Sequence, residues 1–296
     1  LINNENKKSA NEYVVNEKSE LLKFLLENIE NKSVSKIKSL LTHKSVMVDG
    51  EVKTKYNYIL KPGQKVSISK YITSYVTKSE MLEIIYEDKD LIVVNKPEGL
   101  LTTGTEKERE ITAYNITMQY VKKSNYKNRI FIVHRLDKDT SGVLMFAKNE
   151  KIKALFQNNW DKLVLHRGYI AIVEGQLKEK QGKIESWLKE TSTYLVYSSH
   201  VEGEGKKSIT NYKVLKENEK YSLVDIWLET GRKNQIRVHF KEMGNPVTGD
   251  SKYDSQLNEL KRLGLHSNKL IIMHPLTEKK FVFEVEPDKK FMKFVK

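Results

Sequence analysis

Val133-His134-Arg135-Leu136-Asp137-Lys138-Asp139-Thr140-Ser141-Gly142 gathers two carboxylates, three basic side chains and small polar residues into ten positions. On its N-terminal side Ile130-Phe131-Ile132-Val133 is a β-branched, apolar run, and on its C-terminal side Val143-Leu144-Met145-Phe146 is another. Both flanks read as buried strands, which makes the polar stretch the loop between them. As bare residues Asp, Thr, Ser and Gly are ordinary turn formers, with the Thr140 and Ser141 hydroxyls available to satisfy backbone amides. The concentration of charge suits chemistry, but on the bare residues an ordinary strand connection is the favoured reading.

Working outward, 296 residues with 39% apolar content suffice for one large domain plus a small one, each with a core. A net charge of +13 points to a polyanionic partner, because such a field attracts phosphate backbones. The absence of cysteine excludes disulfides and thiolate metal sites and agrees with a reducing cytoplasm. Apolar runs are only a few residues long, far short of a membrane span, and no signal peptide is visible. A start at Leu1 instead of methionine leaves room for an upstream segment.

Residues 1–12 are polar and aperiodic, which predicts a disordered tail. From Glu17 onward the spacing of Leu21, Leu22, Leu25, Leu26 and Ile29 predicts a helix face, with Glu17 and Glu20 in its first turn. A second helix with Ile37, Leu40 and Leu41 follows, capped by Ser33 or Ser35. Asp49-Gly50 predicts a hairpin, and Pro62-Gly63 turns the chain into a strand carrying Val66 and Ile68. Between residues 31 and 70 nine lysines face only Asp49 and Glu51, so the excess charge is concentrated there. Residues 71–80 lack a period and read as a linker. Beyond them, "EIIYEDKDLIVVNKP" predicts two strands joined by an acidic turn, Glu150 to Trp160 a helix, and Tyr169–Val173 and Lys183–Leu188 strands. "SITNYKVL" with "YSLVDIWLE" and "LIIMHPL" with "FVFEVEP" predict hairpins. The expected class is α+β on a mixed, largely antiparallel sheet.

"HRLDKDTSG" is similar to the signature around the catalytic aspartate of the RluA-type RNA pseudouridine synthases, and five further stretches in order resemble the same family. They are "NKPEGLL" from Asn95, "RGYIAIVEG" from Arg167, "LETGRKNQIRVHF" from Leu228, "GNPVTGDSKY" from Gly244 and "LGLHSNKLIIMHP" from Leu263. The N-terminal helix, helix, hairpin, strand order resembles the small RNA-binding domain named after ribosomal protein S-four. The resulting expectation is a tail over 1–12, an α/β RNA-binding domain over 13–70, a linker over 71–80 and a catalytic domain over 81–296. Lys36, Lys38, Lys44 and Lys53 are its candidate RNA contacts, although a lysine-rich helix is also what any solvated face looks like.

The resemblance implies isomerisation of uridine to pseudouridine: the bond from uracil nitrogen 1 to the sugar breaks, the base turns, and carbon 5 takes its place. Nothing is oxidised, so no cofactor or metal is expected, in keeping with the lack of a phosphate-cradling glycine loop or metal-ligand motif. Asp137 aligns with the catalytic aspartate; attack on the sugar, attack on the base and removal of a sugar proton are all open to it. Asp139 is as capable chemically but falls at a variable position. Arg237 matches the arginine that pairs with the aspartate, lowering its pKa and orienting it. Tyr169 matches the active-site tyrosine, suited to stack on the flipped base and take part in proton transfer. Ile236 would cover the base's other face and Arg135 would fill the space the base vacates; without the family, Tyr169 and Ile236 would read as core. His134 is given no acid–base role. Where "GRTHQ" is usual this chain has Lys233 and Asn234, and Arg167 replaces a lysine common before the tyrosine; these changes bear on target choice.

Two other readings are weighed beside a synthase. An inactive RNA-binding or ribosome-assembly factor on the same scaffold would be expected to lose Asp137 or Arg237, and neither is lost. A hydrolase built on His134 and Asp137 would leave the other five stretches unexplained. The expected partner is structured RNA, ribosomal before transfer RNA, acted on by a cytoplasmic monomer.

Overall fold

The computed structural model describes residues 11–29, 33–42, 45–68, 82–104 and 112–294. The chain divides into two compact units, Leu1–Met81 and Leu82–Lys296. The predicted linker at 71–80, the first ten tail residues and Lys44 lie outside the described residues.

In the first unit, β1 (Asn11–Val14), β2 (Ser19–Glu20), α1 (Leu21–Asn28), α2 (Val34–Thr42), β3 (Val46–Val48), β4 (Glu51–Val52), β5 (Ile59–Leu60) and β6 (Lys65–Ile68) follow in order. β1, β6, β3 and β4 form one sheet, and β2 pairs with β5. Asn11 and Glu12, expected at the end of the polar tail, instead pair with Ile68 and Ser67. Helix α1 starts at Leu21, later than its spacing suggested, because Ser19 and Glu20 are held as strand by Leu60 and Ile59. Glu20 is therefore the N-cap, and the first turn holds no acid. Its buried face is Leu21, Phe24 and Leu25 continuing to Ile29, while Leu26 is exposed: the apolar stripe runs through Phe24. Asp49 and Gly50 both take positive φ, 50° and 83°, as a tight hairpin between β3 and β4 requires.

The second unit carries β7 (Glu83–Glu87), β8 (Leu91–Lys96), α3 (Ala113–Ser124), β9 (Phe131–Ile132), β10 (Ser141–Ala147), α4 (Glu150–Asn158) and α5 (Trp160–Leu163). It continues with β11 (Val164–Glu174), β12 (Gln181–Glu190), β13 (Val196–Ser199), β14 (Lys206–Glu217), β15 (Tyr221–Leu228), α6 (Gln235–Glu242), β16 (Leu265–Met273), β17 (Lys280–Glu284) and α7 (Lys289–Lys293). Eleven strands make one sheet in the path β13-β12-β14-β15-β11-β16-β10-β8-β7, with β17 beside β16 and β9 beside β10. Among the pairings of the described strands only β10 with β16 is parallel, so the domain is α+β on a mixed, largely antiparallel sheet. Both late hairpins form as their alternation predicts. Helix α4 begins where Asn149 caps it, its side chain accepting from Ile152 N, and buries Ile152 and Phe156. The run Ile130–Val133 is strand only at Phe131 and Ile132, and these are half-buried, because β9 pairs with just two residues at the end of β10.

β10 itself is buried throughout, sandwiched between β8 and β16. At its start Gly142 has φ +111°, and a Cβ there would collide with the backbone of Ser267. Only glycine lets the three strands close beneath the Asp137 loop. Gly142→Ala is expected to destabilise the chain by at least about 2 kcal/mol, combining steric overlap with a disfavoured backbone conformation. Chemical denaturation measures this; a midpoint like that of the wild type would mean that the close approach is not a constraint.

Candidate active site

The loop from Val133 to Thr140 leaves β9 and enters β10, and its backbone is tied from several sides. Thr102 Oγ1 donates to Leu136 O at 2.7 Å and accepts from Leu136 N at 3.1 Å. Lys96, fully buried at the end of β8, donates to Lys138 O at 2.9 Å, and also to Leu100 O at 2.7 Å and Pro97 O at 3.0 Å. Burial drives the Lys96 ammonium down to about 7, with Asp139 and Asp137 pulling the other way. His134 Nε2 accepts from Met145 N at 2.9 Å, and burial, then the nearby Arg167, lowers the imidazole to about 4. It is a neutral acceptor bonding the loop back to β10.

Asp137 is thereby presented at a cleft of about 1040 Å³, whose lining includes Arg135, Tyr169, Ile236 and Arg237. All five residues singled out for catalysis or base binding meet there. Asp139 is exposed and is not among the lining residues, which separates the two carboxylates on geometry alone. Tyr169 comes from β11 and Ile236 from the first turn of α6, where both join the core cluster that includes Ala171, Val224 and Phe240. Burial raises the Tyr169 phenol above its usual value. Arg135 is exposed at the cleft. Arg167 reaches across to the end of the adjacent strand β15, donating to Glu229 O at 2.8 Å and Leu228 O at 3.3 Å.

Arg237 gives its strongest bonds elsewhere than expected. Its Nε and Nη2 hold Asp250 in a bidentate pair at 2.6 and 2.7 Å, and Asp137 Oδ2 lies 3.7 Å from Nη1. Nη1 also donates to Asn234 Oδ1 at 3.0 Å, and the guanidinium lies 4.9 Å above the Tyr253 ring. Asn234 caps α6 in the left-handed conformation, φ 55°, which asparagine tolerates better than most residues. Its Nδ2 donates to Tyr253 Oη at 2.9 Å. The departure at Asn234 thus supplies an orienting bond to Arg237, and Lys233 beside it ion-pairs with Glu190. Asp250, Lys96 and Thr102 carried no role in the sequence reading; Lys96 and Asp250 lie inside the quoted stretches, but nothing in a linear pattern names their partners.

The Asp137 carboxyl is pushed up by burial, and Arg237, Lys96 and Arg135 pull it back without cancelling the rise. A folded-state pKa above the unfolded value means that the folded chain binds this proton more tightly. Ionisation then costs stability as pH rises above 3.8. Asp137→Asn should accordingly melt no lower than the wild type at neutral pH. Of the four lysines proposed to contact RNA, Lys36 lies on α2 and Lys38 is exposed on the same helix, 5.9 Å from the Tyr56 ring centroid. Lys53 pairs with Glu51 at 2.6 Å and sits 5.1 Å from the Tyr58 centroid. Among the described residues no group of three His, Asp or Glu side chains is placed to hold a metal, and no helix is long and apolar enough to cross a membrane.

Residues 90–242 match the RNA pseudouridylate synthase family. The chain is 34% identical over 280 residues to the uncharacterized RNA pseudouridine synthase YhcT of Bacillus subtilis (strain 168), covering 92% of each. It is 40% identical over 212 residues, 69% of this chain and 65% of the relative, to ribosomal large subunit pseudouridine synthase D of Borreliella burgdorferi. The solved structure of human RNA pseudouridylate synthase domain containing 4 has the same fold, with a TM-score of 0.61 at 22% identity over 74% of this chain and 94% of that one. The chain belongs to the RNA pseudouridylate synthases and is an isomerase whose substrate class is RNA.

Because Asp250 is buried, removing its partner strands a charge. Arg237→Met is expected to cost about 3–5 kcal/mol in unfolding free energy, and adding Asp250→Leu should restore part of that loss. A denaturation cycle over the two single variants and the double variant checks this. A cost below about 1 kcal/mol would mean that the pair does not hold the site together.

Proposed function

We propose that the chain isomerises a specific uridine of large-subunit ribosomal RNA, with Asp137 as the reacting carboxylate. The observation that carries the reading is the convergence of Asp137, Tyr169, Ile236 and Arg237 on one cleft, with Arg237 fixed by Asp250 and one nitrogen turned toward Asp137. A carboxylate whose pKa is raised is less well solvated and more basic than one in water, as attack on the sugar, attack on the base and proton removal would each require. Arg237 then serves to fix the orientation of Asp137 and to favour its ionised form against the effect of burial.

Tyr169 and Ile236 are the two faces of the slot for the extruded uracil. The raised phenol stays protonated at neutral pH, so Tyr169 acts as a hydrogen-bond or proton donor and not as a phenolate. Arg135, exposed beside Asp137, is placed to stack in the gap the uracil leaves. The ribosomal target rests on the 40% identical relative named for the large ribosomal subunit. The first unit, with its lysine surplus and helix, helix, hairpin, strand order, is the S-four-like RNA-binding domain that holds structured RNA, through Lys36, Lys38, Lys44 and Lys53. The enzyme works as a cytoplasmic monomer.

The decisive comparison is Asp137→Asn against Asp139→Asn, scored by chemical labelling of pseudouridine in transcribed large-subunit ribosomal RNA. Asp137→Asn should abolish product while RNA affinity stays within about twofold, since the amide is isosteric and one charge among many is lost. Asp139→Asn should retain most activity. Substantial turnover by Asp137→Asn would remove that residue from the mechanism, and loss of turnover in Asp139→Asn alone would reassign the carboxylate.

A further inference from the structure

One wall of the cleft is contributed by the turn between β12 and β13, which lies outside the six motif stretches quoted above. Glu190 pairs with Val196 across the hairpin, and the five residues between are fixed by Thr191 N donating to Leu195 O at 2.8 Å and Leu195 N to Thr191 Oγ1 at 3.1 Å. The hairpin is also fastened to the elements that hold Arg237. Val196 N donates to Tyr253 Oη at 3.2 Å, Lys252 Nζ to Tyr194 O at 2.8 Å, and Ser198 bonds Glu242 of α6.

At the tip, Tyr194 has φ 63°, a conformation that bulky side chains seldom adopt, and its side chain lines the cleft while the residue remains 71% exposed. Lys233 Nζ lies 5.2 Å from its ring centroid and ion-pairs with Glu190. Lys233 is the residue before Asn234, which bonds Arg237, which in turn meets Asp137. The turn thus sets an exposed aromatic ring beside Lys233, a cation from the segment before α6, on the wall of the cleft that Asp137 also lines. An exposed ring fixed by backbone bonds, beside an ammonium on a flexible stem, suits a nucleotide: the base stacks on the ring and the cation meets the phosphate.

We propose that Tyr194 and Lys233 form a subsite for a single-stranded nucleotide flanking the extruded uridine, with Tyr194 stacking on its base and Lys233 leaving Glu190 for its phosphate. This rests on the reading of the cleft as the uridine site. The subsite would make Tyr194 and Lys233 specificity determinants, and it gives the departure at Lys233 a function.

The test is equilibrium binding of a fluorescein-labelled oligouridine of about twelve nucleotides to the full chain across a salt series. Tyr194→Ala should weaken binding about tenfold, as expected for one lost base stack, and Tyr194→Phe should stay within about twofold of wild type. Lys233→Thr should reduce the slope of log affinity against log salt by about 0.7, the loss of one phosphate contact on a single strand. Glu190→Gln should tighten binding, because the carboxylate no longer competes with the phosphate. Equal affinities for wild type and Tyr194→Ala, an equal loss in Tyr194→Phe, an unchanged slope in Lys233→Thr, or no saturable binding by the wild type would each overturn the proposal. The readout is binding, so failure here leaves the assignment of Asp137 standing, and failure of Asp137→Asn to abolish turnover leaves this result in place.

Discussion

A single guanidinium, that of Arg237, is shared between two carboxylates of different standing. Asp250 is buried and takes it in a bidentate grip, while Asp137, on the cleft, receives only a looser approach at 3.7 Å. Had Asp137 taken the bidentate pair, its pKa would fall and its lone pairs would be committed; lacking Arg237 altogether, it would be a desolvated acid inclined to keep its proton. The division fixes the arginine through Asp250 and leaves Asp137, the carboxylate we propose to react, facing the cleft with one guanidinium nitrogen beside it. The surrounding architecture serves that division. β10 crosses between β8 and β16 beneath the loop, Lys96 and Thr102 hold the loop's carbonyls, and α6 begins at Asn234 so that Arg237 points into the cleft.

The same arrangement has a thermodynamic consequence. A carboxyl whose pKa rises on folding opposes folding at every pH where it is ionised, so this loop is held in place against its own electrostatics. Ties drawn from β8, β10 and the Thr102 segment, with a glycine at the one position where a side chain would collide, supply the compensating stability. Among the described residues, buried Lys96 has no carboxylate in direct contact and is bonded to three carbonyl oxygens. It offsets its desolvation with backbone dipoles and favours the ionised form of Asp137 nearby.

Much of this was legible in the sequence wherever side-chain period and burial coincide. β10 and the hairpins β14–β15 and β16–β17 follow directly from apolar runs and alternation, whereas the aspartate loop was singled out by its resemblance to the family signature. Legibility failed where a neighbour, not the local pattern, decides. Leu26 and Phe24 are equally apolar, and only the start of α1, set by pairing of Ser19 and Glu20 with β5, rotates Phe24 inward. Helix α3 was missed although Ala113, Ile116 and Val121 sit at helical spacing and Thr112 caps it, because the β-branched residues around Ile111 to Thr117 mask the signal. At the site, resemblance supplied the residues and structure supplied the partners: the bidentate pair of Arg237 with Asp250 and the buried Lys96 depend on contacts between distant segments that no spacing encodes.

We propose that Asp137 reacts as a carboxylate held above its ordinary proton affinity. The most direct test is the pH dependence of the single-turnover rate on saturating RNA. The rate should fall on acidification with a midpoint above 3.8, the ordinary aspartate value, because the folded chain binds the Asp137 proton more tightly than free aspartate does. A rate that holds its neutral value down to 3.8 and fails only below it would contradict the account.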